Sequence, residues 1–500
     1  MRRLLAGSSA VAAAAVLAGS AFAGDNNAGF RTSQPAMLTA FGSASATALV
    51  TVGDTLGSGY RYEAIPDGIA VRPRGNGRAD VYVSHETSLV PFPFNSVTMT
   101  GLTDYDNAMV SRLAFNQHSA GVLQGWYDIP SEGNYQRFCS IFLAGPEQGW
   151  DRELLFANEE ATDTVNRIGT AWPATPLYGS NPEQAGLVVA LDVRTGQYRP
   201  IYGMGRHNHE NSVAIPGYDD AVVLSGDDTF SAPASQLYLY RADDADAVWA
   251  DEGHLYAFKA NGAANDYGDV SGAGWVSGTF VPVPDAIADG NQTGLETWSN
   301  ANDVFQFIRV EDIAYDRTNP NVVYFADTGE PRAKPSLTSS RLVRSSTGGG
   351  PYPNGRIWKL TLDPSDPLVV QRLEILFDAD AGGYSNPFAM HNPDNVETTA
   401  SSLLVQEDPG SHNPYYSRLW RYDFATQSWS IAAQVSAAAA PGAWENSGVV
   451  DASAAFGAGA FLVNVQAHTI LLDPSPHPDF PGITRKREGG QLLLVRIPGA

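Results

Sequence analysis

Six apolar runs recur along the chain, and each of them ends in acidic residues or in histidine. Each run has the length of a buried strand. The runs occupy residues 81–86, 154–160, 222–228, 322–327, 403–408 and 461–468. Repetition of one pattern through the whole chain indicates one structural unit that is used six times.

Each apolar run lies between two further segments with strand patterns. The segment that follows is more amphipathic and falls near residues 110–113, 187–193, 237–241, 356–360, 418–422 and 492–496. The segment that precedes is short and falls at residues 67–71, 139–143, 210–215, 309–314, 394–396 and 445–450. Six units of about 60–100 residues, each with three or more strands, are typical of a β-propeller. We therefore predict an all-β fold, a six-bladed β-propeller with long inter-strand insertions.

In an antiparallel blade, the start of the innermost strand and the end of the second strand lie at the same end. The polar residues at these two places should therefore ring one mouth of the central channel. This predicted rim contains Cys139, Glu210, Arg309, Glu311, Asp312, Asp394, Glu445, Glu86, Glu159, Glu160, Asp227, Asp228, Glu407, Asp408 and His468. Carboxylates within about 4–6 Å of one another repel, so we expect bound cations among them.

The types of ligand atom on the predicted rim suggest which cations it would bind. Oxygen ligands suit calcium, and a thiolate among carboxylates admits a transition metal such as iron or zinc. Cys139 is the only cysteine of the chain, so an internal disulfide is excluded. On the predicted rim Cys139 fits a metal ligand better than the alternative, a small buried apolar side chain.

Composition supports the fold and suggests domain boundaries. The 500 residues include 49 Gly and 32 Pro, which favour tight turns over long helices. A charged start, an apolar run and the sequence Ala21-Phe22-Ala23 are typical of a secretory signal. We expect residues 1–23 to be a signal peptide that is removed, residues 24–55 an N-terminal extension, and residues 56–500 the propeller. The protein would then be exported to the periplasm or outside the cell, by either a Sec or a twin-arginine route.

Charge and missing motifs exclude several classes of function. The chain has 31 Lys and Arg against 54 Asp and Glu, a formal net charge of −23, which opposes nucleic-acid binding. After the signal, no apolar stretch has the length of a membrane span. The sequence contains no G-x-S-x-G, H-E-x-x-H or P-loop motif, so it gives no support to a serine esterase, a zincin or an NTPase. We expect a monomer that acts on a small molecule.

Four sets of residues together resemble the PhoX-type alkaline phosphatase family. The sets are His209-Glu210-Asn211, residues 307–312, Asn392-Pro393-Asp394-Asn395 followed by Glu407-Asp408, and Asn158-Glu159-Glu160 after Cys139. The similarity runs in order from about residue 60 to 498. Members of this family are six-bladed propellers, exported by the twin-arginine route, that hydrolyse phosphate esters with iron and calcium ions.

The resemblance implies a role for seven residues. Cys139 would be the thiolate ligand of iron, with Glu210 and Glu311 binding or bridging the metals. Glu159, Asp394 and Glu407 would complete a calcium shell, and Arg309 would hold the phosphate. Clustered cations would neutralise a phosphate dianion and activate water, so a serine or aspartate nucleophile is not required.

Two other functions agree with the same sequence. One is a non-catalytic calcium-binding propeller that binds a ligand or partner on its rim. The other is a phytase- or lactonase-like hydrolase that uses calcium without iron. Iron bound through Cys139 would distinguish the phosphatase from both of them.

Overall fold

A computed structural model gives the architecture of the chain. It describes residues 28–88, 103–104, 106–167, 182–229, 235–262, 265–338, 341–345, 349–381, 389–408, 415–436, 440–476 and 484–500. The expected signal peptide, residues 1–23, lies outside the described residues. Among the residues described, no helix is long and apolar enough to cross a membrane.

The first half of the chain forms three antiparallel blades, preceded by strands β1 (Leu38–Ala40) and β2 (Ser45–Thr51). Blade one contains β3 (Pro66–Gly75), β4 (Arg78–His85), β6 (Met109–Asn116) and β7 (Gly121–Ile129), with the short β5 (Thr103–Asp104) inserted. Blade two contains β8 (Phe138–Ala144), β9 (Leu154–Glu159), β12 (Val188–Asp192) and β13 (Gln197–Ile201), with a hairpin of β10 (Thr164–Asn166) and β11 (Pro182–Gln184) inserted. Blade three contains β14 (His209–Ala214), β15 (Ala221–Asp227), β16 (Leu237–Ala242), β17 (His254–Ala260) and a fifth strand, β18 (Val276–Pro282).

The second half forms three more blades. Blade four contains β19 (Val310–Tyr315), β20 (Val322–Asp327), β23 (Arg356–Asp363) and β24 (Asp366–Asp378), with a hairpin of β21 (Ala333–Pro335) and β22 (Leu342–Arg344) inserted. Blade five contains β25 (Pro393–Thr398), β26 (Ser402–Glu407), β27 (Arg418–Asp423) and β28 (Ser428–Val435). Blade six contains β29 (Glu445–Asp451), β30 (Ala460–Pro476) and β31 (Thr484–Arg496).

Helices are short and lie in the insertions or beside a blade. The α-helices are α1 (Ala245–Ala250), α2 (Tyr267–Ala273), α3 (Asp285–Ala288), α4 (Gln292–Ala301) and α5 (Ser453–Phe456). Single 3₁₀ turns lie at Ser131–Gly133, Pro146–Gln148 and Tyr202–Met204. Among these helices, α1 and α2 lie between strands of blade three, and α3 and α4 lie between blade three and blade four.

The six innermost strands close into a ring. Each of β3, β8, β14, β19 and β25 contacts the innermost strand of the next blade, and β29 contacts β3 again. The chain is therefore a six-bladed propeller, as the repeated pattern predicts. The predicted inner, second and third strands all occur in their expected blades.

The N-terminal segment belongs to the sheets of this ring. Residues 24–55, which the sequence predicts to be an extension before the propeller, supply β1 and β2. Strand β2 pairs with β31 as the outermost strand of blade six, and β1 pairs with β28 at the edge of blade five. Blade six thus joins both ends of the chain, which fixes the closure of the ring.

The apolar core is divided among the six contacts between neighbouring blades. One cluster packs Val222 and Leu224 of blade three against Phe325 and Trp358 of blade four. Five comparable clusters lie between the other neighbouring blades. Because the apolar faces meet between the blades, the mouth of the central channel is left to polar residues.

Candidate metal centre

Five of the six innermost strands begin with the same β-bulge. In blade two, Phe138 pairs with Glu159 and Ile141 with Ala157, so two inner residues face one residue of the second strand. The same two-against-one step occurs in β3, β14, β19 and β25. A bulge of this kind bends the strand and redirects a side chain. The first residues of the five bulges are Asp67, Cys139, Glu210, Glu311 and Asp394.

The backbone just before these bulges is left-handed in four blades. The φ angles are 47° at Ile65, 41° at Arg137, 64° at Arg309 and 49° at Asn392. This conformation is unfavourable for residues other than glycine, and such strain persists mainly where the surroundings enforce it. Its recurrence at one structural position shows that the entry into the inner strand is shared by these blades.

The bulge residues bring their ligand atoms together. Three overlapping groups each have all ligand atoms within 4.8 Å of one another: Asp67, Glu86 and Cys139, then Cys139, Glu160 and Glu210, then Glu210, Glu311 and Asp394. The Cys139 sulfur lies 3.2 Å from Oδ2 of Asp67 and 3.1 Å from Oε1 of Glu210. Since Cys139 and Glu210 are each shared by two groups, the seven residues form one cluster, which we call the rim cluster.

The second residues of the bulges hold neighbouring blades in place beneath the rim cluster. The amide of Asn395 donates to Oγ of Ser140 at 3.2 Å, and Ser140 in turn donates to Glu210 at 3.1 Å. The amide of Asn211 donates to Asp312. These hydrogen bonds connect blades two, three, four and five, so they fix the relative positions of the ligand residues.

The electrostatics of the rim cluster are unfavourable without a cation. Burial and the repulsion of neighbouring acids raise the pKa of Asp67 to about 6 and that of Glu86 to about 7. The pKa values of Glu160, Glu210, Glu311 and Asp394 lie well above the usual range for the same two reasons. Burial, Asp67 and Glu210 raise the pKa of the Cys139 thiol well above its ordinary value.

Two buried oxygens of the rim cluster support cation binding. Oδ1 of Asp67 and Oε2 of Glu210 are buried and have no hydrogen-bond partner. A buried carboxylate oxygen without a hydrogen-bond partner lowers the stability of the protein unless a cation binds it. Six carboxylates and one thiol fit hard cations such as calcium, with a softer metal at the sulfur. The residues present therefore fit more than one bound metal ion.

Arg309 lies beside the rim cluster, as predicted. Its Nε and Nη2 donate to the two carboxylate oxygens of Asp228 at 2.7 and 2.6 Å. Its Nη2 also lies 3.4 Å from Oε1 of Glu311, so the two side chains are on the same side of the chain. A guanidinium placed next to a metal cluster can hold an anion in two-point contact.

The structure does not bring Glu159 into the rim cluster. Its carboxylate accepts two hydrogen bonds from Arg167, at 2.7 and 2.6 Å, and others from the backbone N–H groups of Gln136, Gly186 and Leu187. The next residue, Glu160, occupies the expected place beside Cys139. Glu159 thus anchors blade two, and we correct its expected ligand role on this geometry.

Glu407 has the same anchoring role in blade five. It accepts from the backbone N–H of His391 and Arg418 at 2.9 and 3.0 Å, and from the indole N–H of Trp420 at 2.9 Å. The following residue, Asp408, is close enough to raise the pKa values of Asp67, Asp394 and Glu445. The structure therefore points to Asp408 rather than Glu407 as the acid near the rim.

Asp67 belongs to the rim cluster but not to the rim that the sequence predicts. The sequence places Asp67 at the start of the first innermost strand, at residues 67–71. Its signal is positional: Asp67 is the second residue of the strand that begins at Pro66, as Cys139, Glu210 and Asp394 are in theirs.

A model of one protein family matches the chain. The family is described as alkaline phosphatase PhoX, and the match covers residues 144–434, more than half of the chain. The matched range includes Glu160, Glu210, Glu311 and Asp394, whereas Asp67 and Cys139 precede it. No curated protein matches the chain.

Solved structures resemble the chain only distantly. The PQQ-bound aldose sugar dehydrogenase from Streptomyces coelicolor is 12% identical, with a TM-score of 0.35, over 92% of this chain and 100% of that chain. The NanB sialidase from Streptococcus pneumoniae is 8% identical, with a TM-score of 0.39, over 86% of this chain and 68% of that chain. Likenesses at this level do not bear on what this chain does.

Proposed function

The chain belongs to the PhoX alkaline phosphatase family, and we propose that it hydrolyses phosphate monoesters at the rim cluster. One observation carries the proposal: ligand side chains from five blades meet within 4.8 Å of one another in three overlapping groups. Catalysis that relies on clustered cations needs no serine or aspartate nucleophile. The family and the donor set thus lead to the same class of reaction.

We propose calcium for the carboxylate groups and iron where the Cys139 thiolate takes part. Asp67, Glu86 and Glu160 would hold ions on either side of the sulfur, and Glu311 and Asp394 would hold one with Glu210. When bound, the cations supply Lewis acidity that neutralises the phosphate dianion and lowers the pKa of water.

The protein's own residues orient the substrate in this proposal. Glu210 is shared by two ligand groups, so it would hold an ion in each of them. Arg309 would hold the phosphoryl oxygens from the side of blade four, in exchange for part of its contact with Asp228. Most of the carboxylates are buried, so they would need little reorganisation around bound ions during the reaction.

Metal analysis combined with an assay tests the proposal. The full chain, purified without chelator, should contain calcium and iron and should hydrolyse p-nitrophenyl phosphate. Calcium without hydrolysis of any phosphate ester would favour a non-catalytic binding propeller. Hydrolysis that needs calcium and persists in protein free of iron would favour the calcium-only hydrolase.

A further inference from the structure

Arg137 occupies the same structural position in blade two that Arg309 occupies in blade four. Each arginine precedes the first residue of the inner strand, and each lies two residues before a member of the rim cluster, Cys139 or Glu311. Both have a left-handed backbone, with φ of 41° and 64°. The same backbone turn in two blades therefore places a guanidinium next to the rim cluster in each.

The contacts of the two arginines are also alike. Arg309 is held by the carboxylate of Asp228, and Arg137 is held by the carboxylate of Asp163. Nε of Arg137 also donates to the backbone carbonyl of Glu160 at 3.3 Å. Both side chains are mostly buried, with 11% of Arg137 and 21% of Arg309 exposed.

Charges connect both arginines to the same part of the rim cluster. Burial lowers the pKa of each guanidinium, but nearby acids raise it by more, so the pKa of each arginine is above its ordinary value. Glu160 is one of the acids that raise the pKa of both Arg137 and Arg309. The charge of Glu86 also raises the pKa of Arg137. Because Glu160 and Glu86 belong to the groups that contain Cys139, Arg137 lies beside the sulfur side of the cluster.

We infer that Arg137 is a second anion-binding residue, which contacts the phosphoryl group from blade two while Arg309 contacts it from blade four. The inference rests on the proposed function, since it concerns the same site. Two guanidiniums on one phosphoryl group favour the dianion of a monoester over the single charge of a diester. Arg137 would thus contribute to substrate choice as well as to affinity.

Phosphate binding to the metal-loaded full chain tests this inference without depending on turnover. The probe is inorganic phosphate, measured by calorimetry on wild type and on Arg137→Gln. Loss of a charge-assisted contact should weaken binding about tenfold or more. Arg137→Lys keeps the positive charge but not the two-point guanidinium contact, so it should lose less phosphate affinity than Arg137→Gln. The matched control is Arg72→Gln, because Arg72 pairs with Glu153 and is 16% exposed, but lies outside the rim cluster.

A variant that should bind phosphate more tightly tests whether the loss in Arg137→Gln comes only from a folding defect. Asp163→Asn removes the acid that competes for Arg137, so it should tighten phosphate binding with no change in bound metal. Activity assays should also show that Arg137→Gln lowers the ratio of monoester to diester kcat/KM, which a purely structural residue would not change.

The possible outcomes separate the two proposals. Equal phosphate affinity in wild type, Arg137→Gln and Asp163→Asn would overturn the role of Arg137 while the phosphatase proposal stands. Loss of metal together with phosphate binding in Arg137→Gln would mean that Arg137 supports the ligands, which also overturns the inference. A metal-loaded wild type that neither binds phosphate nor hydrolyses esters would refute the proposed function itself.

Discussion

The sulfur of Cys139 lies between two carboxylates, each of them about 3 Å away. Its thiol has a raised pKa, so the metal-free protein holds the proton and a metal must displace it. Cys139→Ser should remove iron and phosphatase activity while the propeller stays folded, since one ligand is lost and the side chain remains small and polar. Elemental analysis, activity and thermal unfolding measure the three effects. Unchanged iron content would show that the sulfur is not a ligand.

Glu159 and Glu160 are adjacent acids with opposite expected effects. Glu159→Gln breaks a buried ion pair with Arg167, so it should lower the free energy of unfolding by about 3 kcal/mol. Glu160→Gln removes a charge from the crowded rim cluster, so it should weaken metal binding with little loss of stability. Each variant is the control of the other, in denaturant unfolding and in metal analysis. If Glu159→Gln weakens metal binding and Glu160→Gln lowers stability instead, Glu159 is the ligand.

The sequence could identify this pair of acids but not the role of each. Glu159 is the last residue of strand β9 and Glu160 follows it, so the two side chains point to opposite sides. Which side faces the channel depends on the pairing of Phe138 with Glu159 and on Arg167, which lies in the inserted segment. Neither fact can be read from the local pattern. Cys139, Glu210, Glu311 and Asp394 are predictable because they lie at the start of predicted innermost strands, which places their side chains at the mouth of the channel.

At the scale of the strand, the bulge in blade one depends on a glycine. A Cβ atom at Gly68 would lie 2.3 Å from the backbone N of Ile141 and 2.6 Å from Cα of Ser140. Gly68→Ala should therefore push blade one away from blade two next to Asp67 and Cys139, and lower both stability and metal affinity. Gly272→Ala is the control, since its Cβ would meet nothing within 4 Å. Equal metal content and unfolding midpoints in the two variants would contradict this packing argument.

Helix α4 carries a buried acid without hydrogen bonds. Both oxygens of Glu296 lack a partner, and the residue is 7% exposed. Burial, followed by the charge of Asp227, raises its pKa to about 9, although Arg341 partly opposes the shift. The folded protein thus keeps a proton that the unfolded chain has lost between about pH 4.5 and 9.

Stability should consequently fall as pH rises through that window, by at most about 1.4 kcal/mol per pH unit from this group. Glu296→Gln has no proton to lose, so its advantage over wild type should grow from pH 5 to pH 9. Denaturant unfolding of both proteins at several pH values measures the difference. A difference that stays constant with pH would show that Glu296 is ionised in the folded state.

The sequence predicts the inner, second and third strands of each blade but not the place of strand β2. Inner, second and third strands follow one another in the chain, so their apolar patterns and turns suffice. Strand β2 instead pairs with β31, which lies more than 400 residues later. Residues 45–51 are partly exposed and their sequence carries no signal of that partner, so the sequence places them in an extension outside the propeller.

For the whole molecule, the rim cluster is a link between blades. Its five bulge residues come from blades one to five in turn, so ions bound there would connect five blades of the ring directly. The pairing of β18 with β24 already joins blade three to blade four through the backbone. The same residues repel one another when the ions are absent. If the rim cluster binds metal as we propose, metal binding is thermodynamically coupled to closure of the ring.

Removing metal from the wild-type protein should lower its stability, and calcium should restore it. A site filled at a hundred times its dissociation constant stabilises the folded state by about 2.7 kcal/mol, and several coupled ions add to this. Guanidinium unfolding after treatment with EGTA, with and without added calcium, measures the effect, and sodium chloride at equal ionic strength controls for general screening of the −23 charge. Glu160→Gln should recover less than wild type on adding calcium, because one ligand group is incomplete. If the unfolding midpoint is unchanged by chelation and by calcium, the carboxylates hold protons rather than ions in the folded protein, and the rim cluster is not a metal centre.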